Sequence, residues 1–217
     1  MGKFTLTALL LALTFTVEAQ KNEPDSVYYQ KDVSTQEKET FFYLSVDGMA
    51  GNFRGAYGHL NFVIKESIIL KMGYGASYRL SPDTPVDFQP PRVTILGLNR
   101  PFETLESYQM LIGKVYPQDE YSKSRFGFAL GLAYTSIRQP TDFQQTNGGN
   151  FSSNYDWNNE SSGAISLLFQ PKMEWTFSRA FGLSAGGYLE INSKVVAVGI
   201  SVGYMLGVVR KKMLRKF

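Results

Sequence analysis

Seven ionisable residues, Asp47, His59, Lys71, Arg79, Lys172, Glu174 and Glu190, fall among small or polar residues on one parity of extended segments. Two arrangements are open to them. In a narrow interior they would have to meet one another, forming a polar network of Asp47, Lys71, Arg79, Lys172, Glu174 and Glu190. At segment ends they would stand in water. A catalytic use is also conceivable for His59, the one histidine. With Asp47 and Ser45 on the preceding segment, it could activate a hydroxyl or water for acyl transfer or ester hydrolysis. Yet Tyr57-Gly58-His59-Leu60-Asn61 carries no recognisable catalytic pattern, and an isolated histidine is weak support for a site. The chain reads as non-enzymatic.

Other chemistries find no residues. There are no cysteines, hence no thiolate nucleophile, thiol metal site or disulfide framework. No HExxH pattern and no glycine-rich loop ahead of a helix occurs, so no cofactor is expected. The acidic residues Asp83, Asp87, Asp142, Asp156 and Glu160 match no calcium-loop spacing. A formal net charge of +3 over 217 residues is too small and too scattered to indicate nucleic acid. Phe143, Phe151, Tyr155 and Trp157 stud a segment otherwise rich in Asn, Gly and Ser. Aromatic residues on a polar connection can anchor a bound partner.

The elements that would position these residues are strands. From Val196 to Leu206, large residues (Val196, Val198, Ile200, Val202, Tyr204, Leu206) alternate with Ala197, Gly199, Ser201, Gly203 and Met205. Side chains in a strand point to opposite faces with period two, so one face is bulky and apolar and the other almost bare. The same contrast recurs in strands near 40–50, 57–64, 68–79, 126–135, 165–175 and 181–191, and less clearly at 108–116, where Lys114 interrupts the apolar face. Pro171 sits within the sixth strand, where a bulge would accommodate it. A water-facing sheet of Gly, Ala and Ser would be unusual, whereas a small crowded lumen suits them. This argues against a soluble lipocalin-like barrel, whose bulky face would turn inward.

The connections alternate in length. Short ones at 65–67, 117–125 and 178–180 fall on one side, and long ones at 80–107 and 138–162 on the other. The first long connection holds five prolines, with Val93 to Leu98 a possible local extended piece. Before the strands, Lys3 leads an apolar stretch closing at Val17-Glu18-Ala19, the pattern of a signal peptide over residues 1–19. Residues 20–39 read as a flexible periplasmic lead-in. Residues 209–217 form a basic tail with Arg210, Lys211, Lys212, Arg215 and Lys216, either a solvated end or a contact for anionic lipid.

An even number of alternating strands, short turns on one side, long loops on the other, and Tyr78, Tyr108, Tyr134, Trp175 and Tyr204 near strand ends together resemble the small eight-stranded outer-membrane barrels of bacteria. This group includes the OmpA transmembrane domain, OmpX-like and PorT-like proteins. The resemblance spans residues 40–208. It implies an all-β fold, an eight-stranded antiparallel up-and-down transmembrane β-barrel in the bacterial outer membrane. Family members often end in an aromatic residue, and Phe217 is similar in position, although its parity is opposite to that of Tyr204. The expected role is structural or partner-binding, through the external loops, with outer-membrane lipid and lipopolysaccharide as neighbours. A possible envelope protein partner would make it an accessory subunit of a secretion or transport complex. A lipid-modifying enzyme using His59 is the remaining alternative.

Overall fold

A computed structural model describes residues 40–91, 100–118, 123–149 and 152–210. Eight strands follow in chain order: β1 (Phe41–Gly51), β2 (Arg54–Ile64), β3 (Ile68–Leu80), β4 (Phe102–Pro117), β5 (Ser124–Gln145), β6 (Tyr155–Thr176), β7 (Phe181–Ile191) and β8 (Val196–Val208). Each is antiparallel to the next, and β1 pairs with β8 to close the ring. The signal-peptide and lead-in segments, the 93–98 piece and residues 211–217 of the basic tail lie outside the described residues.

Alternation sets which face is which. On β1, Phe42, Leu44 and Val46 face out while Tyr43, Ser45 and Asp47 are buried. The same parity rule holds on β8, where Ile200 is 68% exposed and its neighbour Ser201 is buried. The bulky residues therefore face outward all round the ring, the reverse of a lipocalin. Inside, size complementarity fills the lumen: a large residue on one strand faces a glycine on the next. Asp47 pairs in register with Gly203, His59 with Gly73 and Leu111 with Gly131. A methyl at Gly73 would collide with the Gly58 carbonyl and the His59 ring.

The connections at 65–67, 118–123 and 177–180 sit at the rim where β1 begins and β8 ends, and the opposite rim also carries two short turns, at 52–53 and 192–195. Lys65 and Glu66 both take positive φ (50° and 55°), and Ser67 N–H donates to the Ile64 carbonyl (3.1 Å). This backbone suits a tight hairpin because its twist matches that of the flanking strands. Val209, fully buried, extends past β8 and donates its N–H to the Arg179 carbonyl (2.8 Å).

Three sequence expectations need correction. The fourth strand starts at Phe102 rather than near 108. The 138–162 connection is mostly strand: β5 and β6 stay paired from Arg138↔Ser161 to Gln145↔Tyr155, interrupted by one register shift between Thr141 and Gln144. Asp142 there adopts φ 54°, a left-handed conformation that aspartate tolerates better than most residues. Pro171 needs no bulge, since β6 keeps one register with β7 on either side of it, from Phe169↔Leu189 to Lys172↔Gly186.

Candidate functional site: the lumen and the external hairpin

The lumenal network builds from the strand parities just described. Starting at the rim where β1 begins, Arg125 Nε lies 2.6 Å from Glu174, and its Nη1 donates to the Val209 carbonyl (2.9 Å). The Tyr43 hydroxyl donates to the same carboxylate (2.9 Å). Next, Lys172 Nζ is 2.8 Å from each oxygen of Asp47, which also accepts from the Ser184 hydroxyl (2.8 Å). Gln109 then acts as a hub. Its Oε1 lies 2.8 Å from His59 Nε2, and its Nε2 donates to Ser107 (2.7 Å) and Tyr188 (3.2 Å). Tyr188 in turn donates to Glu190, which also accepts from Thr135 (2.5 Å). At the far rim Arg79 meets Glu103 at 2.5 Å and lies over the Phe53 ring (4.4 Å). Buried charges are tolerable only when paired and hydrogen-bonded in this way.

The expected network residues are therefore brought together in pairs, but not all with one another. Arg79 is partly exposed, so for this residue the rim placement holds. Lys71 is buried yet has no carboxylate within ion-pair distance among the described residues; its contact is Gln170 Oε1 at 3.4 Å. His59 does not stand at a water-facing rim. It is fully buried against Gln109 and the Tyr57 ring (5.1 Å), opposite Ser45. Its ring thus packs inside the barrel rather than on the lipid-facing surface.

Arg125, Glu103, Tyr43, Gln109 and Tyr188 complete the network and were not singled out by the sequence. Arg125 had a readable signal, opposite parity to Phe126. Glu103 did not, because Thr104 and Glu106 face out there while Leu105 faces in, which inverts the usual contrast. Apolar clusters lie toward both rims. Phe41, Val63, Ile69, Val115, Met205 and Val209 fill one end, and Met49, Phe53, Leu105 and Ile137 belong to the cluster toward the other.

Beyond the far rim stands the β5–β6 hairpin. The 81–91 segment docks on its tip: Asn154 N–H donates to the Gln89 carbonyl (3.3 Å), and the Asn154 side chain accepts from Gln89 N–H (2.6 Å). The Tyr155 hydroxyl donates to Asp87 (2.9 Å), a bond that raises its pKa above the ordinary 10.0. Trp157 contacts both Phe88 (6.1 Å) and Phe143 (6.3 Å). Three expected anchors, Phe143, Tyr155 and Trp157, thus hold the segment and hairpin together; Phe151 lies outside the described residues.

A ring of strands belted by Phe62, Leu70, Met110, Leu132, Ile165, Ile200 and Val202, with ion pairs inside, cannot present that belt to water without aggregating. Closure also leaves no unpaired sheet edge in hydrocarbon. Tyr74, Tyr108 and Tyr134 stand side by side in register at one end of the belt, and Tyr116, Trp175 and Tyr204 mark the other. These features define a transmembrane β-barrel of the bacterial outer-membrane type.

Among solved structures the chain is similar to Ail, the attachment invasion locus protein of Yersinia pestis, with 12% identity over 78% of this chain and 98% of that one, and a TM-score of 0.47. The same protein in complex with the heparin analogue sucrose octasulfate gives 10% identity, 77% and 95% coverage and a TM-score of 0.43. Its backbone structure in a phospholipid bilayer nanodisc gives 13%, 77%, 99% and 0.45. No protein-family model matches the chain. No curated protein matches it in sequence.

Proposed function

We propose that this chain is a non-enzymatic outer-membrane barrel with a side-chain-filled lumen, and that it acts outside the cell by binding a protein partner along the β6 edge of its external hairpin. One observation carries the reading. β6 pairs with β5 as far out as Tyr155 but with β7 only from Leu167 inward. Among the described residues, 155–166 therefore have a partner strand on one edge only. A row of open backbone N–H and C=O groups is a template for strand addition, in which main-chain bonds supply affinity and alternate side chains supply selectivity. Docking of the 81–91 segment at Asn154 and Tyr155 steadies the hairpin, lowering the ordering cost of association.

The hairpin can be shortened without touching the barrel, because Gln139 faces Glu160 in register and an Asn-Gly turn could join them. A photo-cross-linking residue at Asn158 in intact cells should yield protein adducts that are absent when it replaces Ser193, on another external turn. The shortened variant should lose the cellular association while keeping its heat-modifiable barrel. Identical adducts from both positions, or an unchanged association after shortening, would remove this reading.

A further inference from the structure

On the open edge of β6, the even-numbered residues from Asp156 to Ala164 continue the parity that Ser166 and Leu168 carry into the lumen. This face holds Asp156 and Glu160, both exposed, with Asn158 between them and Ser162 beyond. Their neighbours across the hairpin, Gln144, Thr141 and Gln139, are uncharged. Neither carboxylate makes a hydrogen bond or ion pair among the described residues. Four strand positions separate them, about 13 Å. The surroundings have the same sign. Over residues 81–91 and 138–162, Asp83, Asp87, Asp142, Asp156 and Glu160 stand against one cation, Arg138. That arginine lies on the opposite parity, in register with Ser161.

We propose that the strand completing this edge is a basic segment of another protein, with lysine or arginine at two positions four apart on the face that meets Asp156 and Glu160. The inference rests on the strand-addition reading above. Open main-chain groups accept any extended chain, so selectivity must come from side chains. Directly opposite residues of antiparallel strands bring their Cβ atoms to about 5 Å, where opposite charges attract and like charges repel. A basic strand satisfies both carboxylates at once, because positions four apart keep one face and one spacing. A second copy of this chain would not. Antiparallel pairing of two β6 edges about Asn158 sets Asp156 of each copy against Glu160 of the other. Charged residues commonly guard an open edge against such self-pairing, and here the guard also sets the sign of the permitted partner.

Fluorescence anisotropy with labelled peptides and the barrel in phosphatidylcholine nanodiscs, at low ionic strength, tests this. The probes are extended Thr/Val peptides of about ten residues, identical except for Lys, Gln or Glu at two positions four apart. Each opposite-charge pair across strands contributes about threefold, so the Lys peptide should bind roughly tenfold tighter than the Gln peptide, and the Glu peptide weaker than both. D156N and E160Q should each remove about threefold of the Lys preference and leave Gln-peptide binding unchanged. Raised salt should shrink the preference. Moving one lysine by a single position, onto the other face, should also cost about threefold, which a diffuse attraction to acidic surface would not. Heat-modifiable migration confirms that each variant is folded. Equal binding of the Lys and Gln peptides, both lost when the hairpin is shortened, overturns this inference and leaves the strand-addition reading standing. Binding of no peptide, or of every peptide to the shortened barrel, removes that reading and this inference with it. An unchanged Lys preference in the D156N/E160Q double variant overturns the inference too, reducing the carboxylates to guards against self-pairing.

Discussion

Lys172 Nζ stands 2.8 Å from both carboxylate oxygens of Asp47, tying β6 to β1 across the lumen. Removing one partner leaves the other charge buried and unpaired, which costs about 3–5 kcal/mol. K172M should lower barrel stability by that amount, and D47N/K172M by clearly less than the sum of the single changes. Reversible urea unfolding in lipid vesicles measures the cycle. Additive single-variant effects would show that the pair is not energetically coupled.

The proposed filled lumen implies that the clusters around Phe41, Met205 and Val209 toward one rim and Phe53, Leu105 and Ile137 toward the other block hydrated ions. In planar bilayers the wild-type barrel should pass no large, steady current. A stable open channel of porin size from wild-type protein contradicts a filled lumen.

Two glycines on β1 and β8 should respond oppositely to the same change. At Gly203 a methyl would run into the Val46 carbonyl oxygen and the Asp47 carboxylate, whereas at Gly48 it would meet only the Val202 carbonyl oxygen at 3.8 Å. G203A should destabilise by about 1–3 kcal/mol, the usual cost of overpacking. G48A should be neutral or slightly stabilising, because alanine loses less chain entropy than glycine. Comparing their unfolding midpoints under one set of conditions checks both.

The Tyr155–Asp87 hydrogen bond needs the phenol protonated. Because the bond raises the folded-state pKa above 10.0, its contribution to docking the 81–91 segment is fully present below that ordinary value. The contribution fades as pH rises through the higher folded value. Y155F should loosen the segment at neutral pH and abolish this alkaline transition. A spin label placed at Val86 and read against one on the barrel would report both effects.

Inward and outward parity was legible on nearly every strand because lipid imposes a uniform demand on the outer face. The limit of that demand explains what was not legible. Past the tyrosine row, outward positions on β4 become Thr104 and Glu106 while Leu105 turns inward, so the contrast inverts and the strand start is lost. The same holds for β6, where Asn159, Ser161 and Gly163 continue the outward parity of Ile165. Lys114 misled for the opposite reason. It faces outward in register with Ile68 near the rim, where its aliphatic stem can lie along apolar surface and its ammonium reach water. Asp47, Lys71, Lys172, Glu174 and Glu190 share the buried parity and Arg79 stands partly exposed at the rim, but which carboxylate meets which cation depends on how far the sheet shears as it rolls up.

The seam between β1 and β8 has a kinetic consequence. Asp47 and Lys172 are 125 positions apart in the chain. No single hairpin can neutralise this pair on its own, so a half-rolled sheet entering the bilayer would drag both charges in unmatched. Insertion should consequently be all-or-none, with the final zippering of first strand to last as the committing event, and partly assembled species confined to the membrane surface.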